Sequence, residues 1–206
     1  MRQLLIAAVA AFALAACGQG GADGPPLPPL QAGATPPSTQ SPASPTEQTT
    51  VTDEVRQQLI AGMTMQLTQL QSVNAPNYTQ VGSDTAVPMQ PGRDFRFLVD
   101  LNAGQEYGFI GTCDGDCSNV DMELISMTTG GVVANDMLPD NYPIFPYTPT
   151  ETGQYMVRLL MQACTHAPCY AGARVVTNGP AGQPPQTQAP QTGGNTTTGG
   201  GTPGKP

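Results

Sequence analysis

Asp94-Phe95-Arg96-Phe97-Leu98-Val99-Asp100-Leu101 decides the fold. Phe95, Phe97, Val99 and Leu101 recur at every second residue, the period that sends one set of side chains to a single face of a β-strand. The period returns downstream. Asn102-Ala103-Gly104 makes a turn, Tyr107 and Phe109 mark a second strand, Val120, Met122 and Leu124 a third, and Val132 with Val133 a fourth. Ile144 to Tyr147 is another, and its Pro146 assigns it to a sheet edge, because proline cannot donate to a ladder. Tyr155, Val157, Leu159 and Met161 alternate after the turn Glu151-Thr152-Gly153, and Tyr170 to Val176 closes the series. Short strands at this spacing predict a mostly β chain over residues 93–177: a small antiparallel β-sandwich, jelly-roll-like.

Residues 51–92 precede the sandwich and read as an amphipathic helix and a loop. Thr52 is a capping residue, Asp53 and Glu54 make an acidic first turn, and Val55, Leu59, Ile60, Met63, Leu67 and Leu70 recur at helical spacing. The apolar stripe needs burial, so the helix is expected across the sandwich or over an edge strand, with docking of a partner as the alternative. From Asn74 to Gly92 turn residues prevail, and a loop or a short strand is expected.

The ends of the chain have a different composition. Arg2, an unbroken apolar run from Leu4 to Ala16, and Leu14-Ala15-Ala16-Cys17 resemble a bacterial lipoprotein signal with its lipobox. The run is shorter than the ~20 residues of a spanning helix. The resemblance implies that residues 1–16 are removed and that Cys17 becomes an acylated N-terminus. Gly18, where aspartate marks inner-membrane retention, implies the outer membrane in a Gram-negative cell. Residues 17–50, with Pro25-Pro26-Leu27-Pro28-Pro29 and Pro36-Pro37, read as a disordered Pro-rich spacer, and residues 178–206 as a disordered Gly/Pro/Thr/Gln tail.

Charge and cysteine usage limit the function. A formal charge of −8 disfavours nucleic acid, whose phosphates need Lys and Arg. Beyond Cys17 the cysteines come in two pairs, Cys113 with Cys117 and Cys164 with Cys169, which in an exported chain read as disulfides. Four cysteines allow three connectivities, and the one made of the two local bonds is favoured because each bond brackets a tight turn. Zinc held by these thiols and His166 is disfavoured by the spacing and the oxidising compartment. Asp114, Asp116 and Asp121, with Asn119 and Glu123 nearby, offer hard oxygen ligands for a possible calcium ion, although the EF-hand pattern fails at Asn119 and Ile125. The competing reading gives Asp114 and Asp116 to turns of the backbone. His166 is the single histidine and has no nucleophile motif beside it, and no pair of carboxylates stands out for glycoside hydrolysis. No enzyme is expected.

Several of these features resemble the bacterial pre-peptidase C-terminal domain family over Asp94 to Met161: the strand ending at Leu101 with Ala103-Gly104 and Tyr107, Asp121-Met122-Glu123-Leu124, Gly130-Gly131-Val132-Val133, and Thr148-Pro149 with Gly153-Gln154-Tyr155. The resemblance implies a non-catalytic β-sandwich accessory to exported proteins. The expectation is therefore a membrane-anchored envelope lipoprotein whose sandwich binds a protein or an envelope polymer. A calcium-dependent carbohydrate- or polymer-binding domain that uses the acidic loop is the alternative.

Overall fold

A computed structural model describes residues 24–40 and 46–179. The expected signal peptide, Cys17 and the tail from residue 180 lie outside them. Eight strands build the sandwich: β2 (Thr79–Met89), β3 (Arg93–Leu101), β4 (Tyr107–Cys113), β5 (Cys117–Ser126), β6 (Val132–Asp136), β7 (Ile144–Tyr147), β8 (Gly153–Cys164) and β10 (Cys169–Thr177). Two-residue strands β1 (Glu47–Gln48) and β9 (His166–Ala167) pair in parallel beside them.

The first sheet has the order β2-β10-β4-β7 and the second β3-β8-β5-β6, all antiparallel. Each successive strand crosses to the other sheet except at the β5–β6 hairpin, which is the double Greek key of a jelly roll. The alternation read from sequence holds: Phe109, Val120, Met122, Leu124, Val157 and Leu159 are fully buried between the sheets. Pro146 stands on β7, at an edge, as expected.

The segment before Arg93 differs from its expectation. In place of a loop or short strand, Thr79–Met89 is an eleven-residue edge strand of the first sheet. Its alternation is faint because most of its positions are only half-buried or exposed: Met89 alone is buried in the core, with the half-buried Val81 and Val87 packed against it. Edge strands of this kind gain from main-chain pairing, here with β10, more than from an apolar face.

Helix α1 (Asp53–Asn74) is capped by the Thr52 side chain, which accepts from the Val55 amide. It covers the outer face of the first sheet. Met63 and Leu67 are buried over Gly172 of β10, where an added Cβ would stand 3.5 and 3.6 Å from their side chains. Arg174 of β10 reaches Gln71 of the helix at 2.9 Å and grips Asp84 of β2 with two hydrogen bonds of 2.8 and 2.7 Å. Leu59, Ile60 and Leu70 are half-buried and Val55 is exposed, so the buried stripe is narrower than its sequence pattern.

Residues 24–40, read from composition as part of a spacer, lie against the outer face of the second sheet. The Gln31 amide donates to Thr129, the Val132 amide donates to Thr35, and the Ser38 amide donates to Glu123 Oε1 at 2.9 Å. Ile125, Met156 and Leu160 point to this outer face and are fully buried nonetheless. Composition gave no sign of this docking because the segment contributes main-chain hydrogen bonds and close approach more than an apolar core of its own. Gly130 and Gly131 make room for it: an added Cβ would stand 2.3 Å from the Pro29 carbonyl at the first and 2.8 Å from Ala34 Cβ at the second. Further on, Thr46 to Thr49 bond to the chain around Thr165 and Ala167.

Beneath this strap the second sheet carries buried charge. Arg158 of β8 donates to Asp94 of β3 at 2.5 Å, to Glu123 of β5 at 3.0 Å and to the Ser38 carbonyl at 2.8 Å, while Arg96 holds Asp94 at 2.8 Å. Two guanidinium groups thus face two carboxylates across three strands.

Candidate interaction surface

Both local cysteine pairs are disulfides, Cys113–Cys117 and Cys164–Cys169. The first closes the turn from β4 to β5 and the second closes the connection from β8 to β10. Register places Cys117 opposite Cys164, so the two stapled loops stand side by side at one end of the sandwich. All four cysteines are buried. The strands do gather them, as the zinc alternative required, but their sulfurs are joined in pairs.

The loops are also hydrogen-bonded to each other. The Thr165 amide donates to the Asp116 carbonyl at 2.8 Å and the Thr165 hydroxyl donates to the same oxygen at 3.1 Å. His166 is half-exposed; its Nδ1 lies 3.0 Å from Asp116 Oδ1 and its Nε2 lies 3.6 Å from Glu47 Oε2. Three separate segments therefore meet at one imidazole. The arrangement lacks an assembled nucleophile: both ring nitrogens face carboxylates, and the neighbouring Thr165 hydroxyl turns to Asp116.

The three aspartates expected to hold calcium occupy different surroundings. Asp114 turns inward, where Oδ2 accepts from the Tyr170 amide at 2.8 Å. Asp116 is exposed and faces His166. Asp121 lies on β5, buried, with Oδ2 accepting from Gln162 Nε2 at 2.6 Å. Among the described residues no three His, Cys, Asp or Glu side chains are grouped to hold a metal ion. Calcium or a chelator is expected to leave the thermal midpoint unchanged, and a saturable rise with calcium would return the Asp114 loop as a site.

Burial is the first cause that pushes the Asp121 carboxyl above its ordinary value, reinforced by the charges of Asp136, Glu123 and Asp140 and opposed by the Gln162 hydrogen bond. Burial likewise raises Asp114, against the Tyr170 amide. Ionisation is then less favourable in the folded chain than in the unfolded one. A raised carboxyl gives stability that is present below the unfolded value, about pH 4, and is lost as pH rises through the folded value. Asp121 Oδ1 is buried and receives no hydrogen bond. Asp121→Asn should therefore raise the midpoint at neutral pH and flatten its gain on mild acidification; an unchanged pH profile in thermal melts would refute this assignment.

Sequence reasoning missed the ionic network under the strap. A signal was present: Asp94, Arg96, Glu123 and Arg158 fall on the outward side of strands whose inward residues alternate cleanly, and register sets Arg158 between Arg96 and Glu123 with Asp94 diagonal to it.

No family model matches the chain, and no curated protein matches it. Among solved structures it is similar to Aeromonas hydrophila PliG, a periplasmic lysozyme inhibitor of g-type lysozyme, at 9% identity and a TM-score of 0.31, over 48% of this chain and 84% of that one. A likeness at that level carries no argument about what this chain does.

Proposed function

We propose that the chain is a non-catalytic, lipid-anchored lipoprotein of the bacterial envelope whose sandwich binds a protein or an envelope polymer through its disulfide-stapled end. One observation carries the reading: the chain covers both of its own sheet faces, with α1 on the first and residues 24–40 on the second. Much of each broad face is thereby covered, and the stapled loop end is a fixed surface that neither α1 nor residues 24–40 covers. There two disulfides hold short loops in one shape, so little conformational entropy remains to be lost on binding. Asp116, Glu47 and His166 give that end a polar, acidic rim suited to a basic or hydrogen-bonding partner. The disulfides also fit an oxidising compartment, in keeping with export through the segment that ends at Cys17.

Two measurements test it in cells. Palmitate should label the chain and fail to label Cys17→Ser. A photoreactive residue at Asp116 should then crosslink an envelope component that one at Val73, on the exposed side of α1, does not. Crosslinks from Val73 alone would move the binding surface to the helix.

A further inference from the structure

We propose that residues 24–40 dock the sandwich against the membrane, with the strap-covered second sheet toward the lipid and α1 outward. The inference rests on the anchoring at Cys17 proposed above. Its first support is length. Seven residue steps separate Cys17 from Gly24, at most about 25 Å when fully extended. A free polyproline-like segment from Cys17 to Thr50 would reach roughly 100 Å. Docking thus shortens the reach about fourfold.

The strap is fixed at its first described residues. Arg96 Nη1 donates to the Pro25 carbonyl at 3.3 Å, and Gly24 lies so close to β3 that an added Cβ would stand 2.1 Å from the Arg96 carbonyl oxygen. Lifting the strap would uncover Ile125, Met156 and Leu160 and would take from Glu123, fully buried, the Ser38 amide that it accepts from. Each of these opposes release.

The second support is the surface itself. Leu27 and Leu30 stand exposed on the strap, and Leu98 of β3 and Val133 of β6 are exposed on the outer face of the same sheet. Four large apolar side chains therefore lie on the side from which the tether leaves, and lipid is the partner that the tether itself brings there. The two sheets of a sandwich stand ~10 Å apart, so α1, packed on the far sheet, lies well outside the lipid-facing one. Its exposed Met65 and Val73 then point into the envelope space.

Neutron reflectometry of the lipidated full chain on a supported bilayer of phosphatidylethanolamine and phosphatidylglycerol reads the height directly. The wild-type layer should abut the headgroups. Gly131→Val places a side chain into Ala34 and Thr35, frees the strap, and should open a water gap of tens of ångströms, up to roughly 90 Å for the 29 residue steps from Cys17 to Thr46. The double substitution Leu27→Glu with Leu30→Glu changes exposed positions only; it should open a gap no wider than the docked tether permits, about 25 Å. Equal heights in the wild type and Gly131→Val would overturn the strap, whichever height that is, and an unmoved Glu variant would overturn the lipid contact. Palmitate on Cys17 scores the anchor separately: an unlabelled chain removes the anchoring reading and this proposal with it, whereas a labelled chain that stands off in the wild type removes the docking alone.

Discussion

Arg158→Ala should destabilise the protein by about 3–5 kcal/mol, the cost of leaving buried charge without its partner. Arg158 and Asp94 have side chains 6% exposed, and Glu123 has none of its side chain exposed. The substitution strands two carboxylates unequally. Asp94 keeps Arg96 at 2.8 Å, whereas among the described residues Glu123 keeps the Ser38 amide alone. The strap also loses the donor to the Ser38 carbonyl. Urea unfolding of the unlipidated chain measures the loss, and amide exchange at Ser38 should quicken with it. Arg158→Lys restores the charge without the planar fork that reaches β3, β5 and the strap together, so it should recover only part of the stability. A loss under about 1 kcal/mol for the alanine variant, the value of an exposed pair, would mean that water enters the network.

Removing both disulfides together, by alanine at Cys113, Cys117, Cys164 and Cys169, should cost about 4 kcal/mol. The bonds close loops of sequence separation 4 and 5, and loops this short hold about 2 kcal/mol each in the chain-entropy account. A domain stable by 5–15 kcal/mol can survive that. The loss of shape should exceed the loss of fold, because the loops also lean on each other through Thr165 and Asp116. The chain should therefore melt cooperatively at a lower temperature while amide protection at Thr165 falls most. Loss of cooperative unfolding would instead make the bonds the framework of the sandwich.

Strands were legible where inward apolar residues recur at every second position, whether the other face is partly exposed, as on β3, or buried, as on β8 and β10. The stretch read from Asp94 to Leu101 is β3, lengthened by Arg93, and the turn at Asn102 to Gly104 follows it. Local cysteine pairing was legible because so few residues separate the partners. β2 was hidden because its core-facing apolar residues, Val81, Val87 and Met89, leave a gap between the first two in which no alternation shows. The docking of residues 24–40 was hidden for a different reason. Composition reports whether a segment can bury itself, whereas this one is held by main-chain carbonyls and by the amides of its non-proline residues, and is admitted by Gly130 and Gly131 far along the chain. The turn after Cys113 sends Asp114 inward and Asp116 outward, and sequence adjacency could not foretell that division.

The order of strands also sets a timetable for folding. Only β5 and β6 pair with their immediate neighbours in sequence. β2 pairs only with β10, the last strand of the sandwich, and β3 only with β8. A chain dominated by such distant pairings folds in milliseconds to seconds, not microseconds. A chain that emerges N-terminus first, as in the export proposed above, must therefore carry β2 and β3 unpaired until β8 and β10 arrive. Cys113–Cys117 can close within its own turn during that wait, Cys164–Cys169 only as β10 itself emerges, and neither ties the wrong strands together if each cysteine takes its near partner.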